Sequence, residues 1–75
     1  MTTKEKDVNN MKCWVFRMAQ TTWHKTPGEC MAIFTQNKLF EYINNTYDYL
    51  HLNGYRLVLH ELEEILSENG VSINA

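Results

Sequence analysis

The stretch FEYINNTYDYLHLNGYRLVLHELEEILSENGV, residues 40–71, contains two helical patterns, each followed by an Asn-Gly pair. In both halves, apolar side chains recur at the three- and four-residue spacing that places them on one helix face. Glycine adopts the left-handed conformation without steric cost, so Gly54 and Gly70 can each end a helix in a Schellman-type turn. Val71 can then fold back on the last turn of the second helix. The stretch therefore predicts two successive helices joined by a short turn.

The same spacing gives the inward faces of these two helices. We expect helices over about residues 38–52 and 55–69, with Asn37 as the N-cap of the first. The predicted inward side chains are Leu39, Phe40, Ile43, Tyr47, Leu50, Tyr55, Val58, Leu59, Leu62, Ile65 and Leu66. His51 lies at the end of the helix over residues 38–52, where the helix dipole favours a protonated imidazole that can bond the terminal carbonyls. Asp48 can reinforce this role, and contact with a partner is the alternative role for His51.

Two further helices precede this stretch. The sequence TPGE, residues 26–29, has the form of a capping box with proline at the first helical position, which predicts a short helix over residues 27–36. Residues 8–23 form one stripe at helical spacing, which predicts the first helix. The stripe consists of Val8, Met11, Val15, Met18, Ala19 and Thr22. Asp7 is the expected N-cap of this helix, and residues 1–6 are expected to form a frayed tail.

Together these patterns predict an all-α protein with a single helical domain over residues 1–75. The domain is expected to be a compact bundle of about four helices with short loops. Their approximate bounds are residues 8–23, 27–36, 38–52 and 55–69. The alternation that marks a half-buried strand does not persist anywhere in the chain. Because the predicted loops are short, successive helices should pack as antiparallel neighbours.

Charge and composition narrow the classes of partner. The formal net charge is -2 and the Lys and Arg residues are scattered, whereas a nucleic-acid-binding domain needs a concentrated basic surface. No apolar run approaches the roughly 18 residues of a membrane span, and the polar start does not have the form of a signal peptide. We therefore expect a cytoplasmic protein that binds neither nucleic acid nor membrane. In that compartment Cys13 and Cys30 should stay reduced and pack as small apolar side chains.

No recognisable catalytic or metal-binding motif occurs in the sequence. His51 and His60 are far apart and the two cysteines do not form CxxC, so neither set has the spacing of metal ligands. A cysteine nucleophile would need a base beside it, and His24 is the only candidate nearby in sequence. We therefore expect no metal site, no cofactor and no enzymatic activity.

Surplus aromatic side chains give the clearest indication of function. Aromatic residues make up 12% of the chain, and they are enriched where protein partners bind. Trp14 and Trp23 lie on opposite flanks of the stripe of the first helix. Tyr42 and Tyr49 share a ridge of the helix over residues 38–52, about 120° from its core face. Leu57 points away from the apolar face of the last helix. We assign these five to a partner-binding surface. The alternative is that the first helix is central to the bundle and buried all round.

The last helix is acidic. Its charged and titratable residues are Arg56, His60, Glu61, Glu63, Glu64 and Glu68. Such a run is commonly a solvated face, and the alternative is electrostatic steering toward a basic partner. For the second case we add Glu61 and Glu64 to the predicted partner-binding residues.

Residues 40–71 resemble the bacterial family named Domain of Unknown Function 3791. The resemblance is carried by a Tyr-x-x-Leu-His core and by an amphipathic helix that ends in glycine. In this chain these residues are Tyr47, Leu50, His51, Leu66, Gly70 and Val71. Where relatives have an acidic pair before the central apolar residue of the last helix, this chain has His60 and Glu61. The resemblance implies a small helical protein encoded beside an ADP-ribosyltransferase-like toxin, with a binding or neutralising role and no catalytic residues.

Two functional hypotheses follow. The first is a protein-binding module that acts as the antitoxin or accessory partner of a toxin-like enzyme. The second is a self-associating structural domain, in which the aromatic surface closes a homodimer. An enzyme and a helix-turn-helix DNA-binding domain are disfavoured, the latter because the last helix is acidic.

Overall fold

The computed structural model describes residues 3–71. It consists of four helices, α1 Thr3–Trp23, α2 Pro27–Gln36, α3 Leu39–Leu50 and α4 Tyr55–Glu68. No strand occurs within this range, so the predicted all-α bundle with short loops is confirmed. None of the four helices combines the length and the apolarity that crossing a membrane requires.

Helix α1 begins at Thr3, earlier than the predicted start at residue 8. Asp7 therefore lies inside the helix and is not its N-cap. Of the predicted frayed tail, residues 3–6 are helical and residues 1–2 lie outside the described residues. The added turn contacts α3, where Lys4 Nζ lies 3.0 Å from Asp48 Oδ1. Asp48 thus pairs with α1, whereas we expected it beside His51. Both partners of this ion pair are exposed, so it contributes little stability.

Helix α2 begins with the predicted capping box. The Glu29 backbone N–H donates to Thr26 Oγ1 at 3.2 Å, and the Thr26 backbone N–H donates to Glu29 Oε1 at 2.9 Å. Two donors without intrahelical partners are satisfied in this way. The helix then buries Cys30 and Phe34 in the core.

Lys38 makes the turn between α2 and α3 in the left-handed conformation, with φ 54° and ψ 39°. Asn37 is not the N-cap of α3. It ends α2, where its side-chain amide donates to the Ile33 carbonyl at 2.9 Å. Its Oδ1 also accepts from Asn69 Nδ2 at 3.1 Å, which ties this junction to the end of α4. The connection is too short to leave Asn37 in the extended conformation of a cap.

Gly54 is the N-cap of α4 and has an extended backbone, with φ -70° and ψ 159°. The prediction of a left-handed Schellman end at Asn53-Gly54 is therefore wrong. Helix α3 ends in tight turns instead, in which the Leu52 N–H donates to the Tyr49 carbonyl at 3.3 Å and the Asn53 N–H to the Leu50 carbonyl at 3.0 Å. Because the connection to α4 is so short, the glycine starts the next helix.

The end of α4 has the predicted Schellman geometry. Gly70 has φ 77°, the left-handed conformation. The Val71 N–H donates to the Leu66 carbonyl at 2.8 Å, and the Gly70 N–H donates to the Ser67 carbonyl at 3.1 Å. Val71 packs against the core, as expected for the apolar residue that follows this turn.

Helix α1 is the central element of the bundle. It packs against each of the other three helices, whereas α2 and α4 do not pack side by side in residues 3–71 and are joined at their ends by the Asn37–Asn69 hydrogen bond. The core cluster draws on all four helices and consists of Met11, Val15, Ala19, Trp23, Cys30, Phe34, Leu39, Ile43, Leu50, Val58, Leu59, Leu62 and Leu66. The ring of Phe34 on α2 lies 5.1 Å from that of Phe16 on α1 and 4.9 Å from that of Phe40 on α3, measured between centroids.

Candidate protein-binding surfaces

Trp23 lies in the core and is only 4% exposed, so it does not belong to an exposed surface as predicted. Its ring lies 5.9 Å from that of Phe34, and its indole N–H donates to Glu63 Oε2 of α4 at 2.8 Å. Trp23 covers the flank of α1 because α2 and α4 both approach there. The helical spacing of α1 alone could not predict these contacts of Trp23 with Phe34 and Glu63.

Trp14 is 54% exposed, as predicted for the opposite flank of α1. The guanidinium carbon of Arg17 lies 5.8 Å from the Trp14 ring centroid, within the range of a cation–π contact. Helix α1 is thus central in its contacts but is not buried all round. Trp14 remains a candidate partner contact on a helix whose buried residues form part of the core.

Tyr42 and Glu61 meet where α3 packs against α4. The Tyr42 hydroxyl donates to Glu61 Oε2 at 3.5 Å, and the Tyr42 ring is half-buried against the core. Burial raises the pKa of Tyr42, and the negative charge of Glu61 raises it further. The hydroxyl therefore stays protonated and keeps its proton directed at the carboxylate.

Tyr49 follows Tyr42 along the same ridge of α3 and is 53% exposed. Tyr49 and Glu64 also lie close enough to Tyr42 to affect its pKa. Tyr42 and Glu61 are thus in contact, and the charges of Tyr49 and Glu64 act on Tyr42. We call Tyr42, Tyr49, Glu61 and Glu64 the tyrosine–glutamate face. Trp14 and Trp23 are on α1 and do not belong to it.

The acidic residues of α4 are partly engaged within the chain. Glu63 accepts the indole N–H of Trp23, and Glu61 accepts the hydroxyl of Tyr42. His60 Nε2 lies 3.1 Å from Glu64 Oε1, and His60 Nδ1 lies 3.9 Å from Glu63 Oε1. Glu64 remains exposed, and Glu61 is half-buried. The α4 run is therefore neither a purely solvated face nor a free acidic patch.

Leu57 is half-buried, although the helix wheel predicted that it points away from the apolar face. It lies one turn before Glu61, on the side of α4 that packs against α3. Because α4 contacts both α1 and α3, a wider arc of the helix is covered than its own pattern indicates. Leu57 is therefore a weaker candidate for partner contact than predicted.

The turn between α3 and α4 exposes apolar side chains that the sequence analysis did not assign. Leu52 is 75% exposed, and Tyr55, predicted to point inward, is 37% exposed. With Tyr49, these make three of the five large hydrophobic side chains that are exposed in the described chain. We call Tyr49, Leu52 and Tyr55 the turn surface. The sequence did contain one signal for this surface, since the apolar Leu52 stands directly before the predicted helix end at Asn53-Gly54.

Side chains of the turn itself hold this surface in place. His51 Nδ1 lies 3.0 Å from the Tyr47 carbonyl oxygen, which can only accept, so Nδ1 carries the proton in this contact. The His51 ring also stacks on that of Tyr47, with centroids 5.1 Å apart. Asn53 Nδ2 donates to the Tyr49 carbonyl at 3.2 Å. The predicted bond from His51 to a carbonyl at the end of the third helix is thus confirmed.

Among residues 3–71, no group of three or more His, Cys, Asp and Glu side chains has an arrangement that could hold a metal ion. Cys30 is buried as predicted, and burial raises the pKa of its thiol to about 11. Cys13 is exposed, although we expected it to pack as an apolar side chain. A concavity beside α1 is lined by Lys4, Glu5, Val8, Asn9 and Asn44.

A family profile described as Protein of unknown function (DUF3791) matches residues 11–69. The match covers α2, α3 and α4 completely and most of α1, so it includes both the tyrosine–glutamate face and the turn surface. Neither a curated protein nor a solved structure matches the chain. The chain belongs to the DUF3791 family of proteins of unknown function.

Proposed function

We propose that this chain is a small protein-binding module and that the turn surface is the centre of its binding site. The observation that carries the proposal is the exposure of Tyr49, Leu52 and Tyr55 within seven residues at one end of the bundle. A scattered exposed leucine needs no explanation, but large apolar side chains grouped at one place are typical of an interaction site. Tyrosine is also among the residues that contribute most to binding energy.

The frame of the turn supports this proposal. The turn is held by side-chain bonds from His51 and Asn53 to carbonyls of α3 and by the start of α4 at Gly54. A surface that is already ordered loses little conformational entropy on binding, so more of the contact energy appears as affinity.

For the partner we propose the ADP-ribosyltransferase-like enzyme that the family resemblance implies is encoded beside such chains. In this proposal the chain is the enzyme's antitoxin or accessory partner, acts in the bacterial cytoplasm and has no catalytic activity of its own. The support is the combination of an apolar turn surface with carboxylates on the adjoining face, which suits a partner with a basic and partly apolar surface.

Co-expression with the product of the neighbouring gene tests the proposal. We expect the two proteins to co-purify, and Leu52→Asp to weaken the complex by at least about tenfold because it places a charge in an apolar contact. Met31→Asp is the matched control. Met31 is also a large exposed hydrophobic residue, but it lies on α2 and not in the turn between α3 and α4. The proposal would be contradicted if the chain did not bind the product of the neighbouring gene, or if Met31→Asp weakened the complex as much as Leu52→Asp.

A homodimer closed through the turn surface is the alternative. The same exposed side chains favour it, because they would also be covered by a second copy. The two functions differ in the solution mass of the isolated protein.

A further inference from the structure

We propose that Asn53 is a site of spontaneous covalent modification, at which the backbone of Gly54 promotes deamidation of the Asn53 side chain. The reaction consumes water, releases ammonia and leaves a negative charge in the turn between α3 and α4. That charge stands next to Leu52, in the turn surface. The modification itself does not depend on the proposed function, whereas its effect on partner binding rests on that function.

Deamidation needs an asparagine whose side chain can be reached by the backbone nitrogen of the next residue. The Gly54 nitrogen loses its proton to a base in solution and attacks Asn53 Cγ, which closes a succinimide ring. The bond from Cγ to Nδ2 breaks, and the departing nitrogen takes a proton from water and leaves as ammonia. Water then opens the ring at either of its two carbonyl carbons, giving aspartate or isoaspartate. Glycine has no Cβ to crowd the attack.

The peptide group between Asn53 and Gly54 is free to make this attack. Among residues 3–71, neither the Asn53 carbonyl nor the Gly54 N–H makes a hydrogen bond. Gly54 is exposed, and no atom lies within 4 Å of the place where its Cβ would be. The Asn53 side chain is held by the bond from Nδ2 to the Tyr49 carbonyl at 3.2 Å, which is exposed. Rotation of this peptide group toward the side chain therefore breaks no backbone hydrogen bond.

The second Asn-Gly pair of the chain is protected by its fold. The Gly70 N–H donates to the Ser67 carbonyl at 3.1 Å as part of the Schellman turn. Asn69 Nδ2 donates to Asn37 Oδ1 at 3.1 Å, so the side chain is tied to another helix end. Attack by the Gly70 nitrogen on Asn69 requires both bonds to open first. The structure thus distinguishes two pairs that are identical in sequence.

Deamidation would disturb the turn surface in two ways. The Asn53 amide donates to the Tyr49 carbonyl, whereas a carboxylate only accepts, so the modified side chain loses this bond. The new charge beside Leu52 must also be desolvated when a partner covers the turn, which costs free energy. Isoaspartate in addition lengthens the backbone directly before Gly54, where α4 begins. We therefore expect the modified chain to bind its partner more weakly.

Peptide mapping by mass spectrometry tests the modification on the full chain. The protein is incubated in mildly alkaline buffer, with and without urea, and aspartate and isoaspartate are quantified at both pairs. In the folded protein Asn53 should be modified several-fold faster than Asn69. In urea the two rates should become similar, because the bonds that protect Asn69 are lost. An Asn69 rate in the folded protein that equals or exceeds the Asn53 rate would overturn the inference.

Gly54→Ala tests the role of the attacking nitrogen. The backbone of Gly54, with φ -70° and ψ 159°, suits alanine, and the added Cβ would meet nothing within 4 Å. The turn should therefore keep its shape, while modification of Asn53 slows by at least about tenfold because the Cβ crowds the attack. Gly28→Ala adds a Cβ that also meets nothing, away from both pairs, and should leave the rate unchanged. An equal Asn53 rate in Gly54→Ala and the unchanged protein would refute the mechanism.

A fixed charge tests the effect on binding. Asn53→Asp should weaken the complex with the product of the neighbouring gene by at least about tenfold, and Asn69→Asp, at the other end of α4, should leave it within about twofold. A partly modified sample gives a second measurement that needs no variant. The fraction retained by the neighbouring product should be depleted of chains modified at Asn53. Equal weakening by the two variants, or retention of modified and unmodified chains alike, would show that the modification does not control binding.

The inference and the proposed function can fail separately. If the neighbouring product binds and Leu52→Asp releases it while Asn53 stays intact in the folded protein, the function stands and the modification site is wrong. If Asn53 is modified as described and the neighbouring product does not bind, the modification site stands and the proposed partner is wrong.

Discussion

Gly70 holds a backbone conformation that other residues adopt only at a cost. Its φ is 77°, and no atom lies within 4 Å of the place where a Cβ would be. Gly70→Ala therefore meets no collision, and its whole effect comes from the left-handed backbone. We expect the free energy of unfolding to fall by about 1–2 kcal/mol, as measured by urea denaturation.

Gly28 provides the matched control for this substitution. It lies in the first turn of α2, it has no positive φ, and a Cβ there would also meet nothing within 4 Å. Gly28→Ala should leave stability unchanged or raise it by up to about 1 kcal/mol, because alanine is the better helix former. Equal losses of unfolding free energy in Gly70→Ala and Gly28→Ala would mean that the left-handed backbone at position 70 does not require glycine.

Glu63 is the residue of the acidic run with a structural role. Its carboxylate accepts the indole N–H of Trp23 at 2.8 Å, and Trp23 is buried. Glu63→Ala leaves that donor without its partner and should lower the free energy of unfolding by about 1–3 kcal/mol. Glu64→Ala, the same change at the next residue, removes only an exposed pair with His60 and should change stability by less than about 0.5 kcal/mol. Urea denaturation followed by tryptophan fluorescence measures both, and a larger loss at Glu64 would refute this assignment.

The two cysteines should differ in reactivity although both are free. Cys13 is exposed, whereas Cys30 is buried and its pKa is raised to about 11, so little of it is thiolate at pH 8. We expect one thiol per chain to react rapidly with a thiol reagent in the native protein and both to react in urea. In Cys13→Ser the rapid reaction should disappear. A rapid reaction that survives in Cys13→Ser would show that Cys30 is accessible.

At the scale of the helix, the capping box of α2 gives a stability that depends on pH. Thr26→Ala should lower the free energy of unfolding by about 1 kcal/mol, whereas Thr35→Ala, at an exposed position of the same helix, should leave it unchanged or slightly raised. Hydrogen bonds from the Thr26 backbone and side chain lower the pKa of Glu29 from 4.5. A lowered pKa means that the folded state favours the ionised carboxylate.

The contribution of Glu29 is therefore complete above pH 4.5 and is lost as the pH falls through its lowered pKa in the folded state. The difference in stability between the unchanged protein and Glu29→Ala should be constant from neutral pH to about pH 5 and should narrow below that. Urea denaturation at a series of pH values measures it. A difference that widens in acid would contradict the capping role of the carboxylate.

The helix ends that were predicted correctly are those specified by adjacent residues. The capping box at Thr26 and the Schellman turn at Gly70 each need only local backbone bonds. The starts of α1 and α3 were misplaced because other elements or the loop length determine them. Helix α1 extends to Thr3, where it lies beside α3. Lys38 adopts the left-handed conformation, which a lysine in the sequence does not predict.

At the scale of the whole molecule, the sequence predicted the part of the candidate site that lies on α3 and α4. Tyr42 and Tyr49 were identified from their ridge, and the packing of α3 on α4 adds Glu61 to them. Trp23 was assigned wrongly because Phe34 and Glu63 reach it from two other helices. Tyr55 was missed as a surface residue because helical spacing gives its direction but not its position at the end of the bundle, where the core stops.

The distribution of the apolar surface leads to an expected oligomeric state. A stable dimer buries about 800 Å² on each partner, which is about a sixth of the 5046 Å² surface of this chain. The turn surface has three large apolar side chains, and carboxylates occupy the face beside it. Three side chains cover only part of an interface of that size, and the like charges beside them oppose a self-contact.

We therefore expect the isolated protein to have the monomer mass of 8.9 kDa at every concentration of a dilution series. Analytical ultracentrifugation measures it, with Leu52→Asp as the comparison. The homodimer alternative requires a mass that rises with concentration in the unchanged protein and not in Leu52→Asp, because the charge would open a contact made by the turn surface. That result would replace the proposed partner with a second copy of the chain. A constant monomer mass would leave the turn surface exposed in solution and available to another protein.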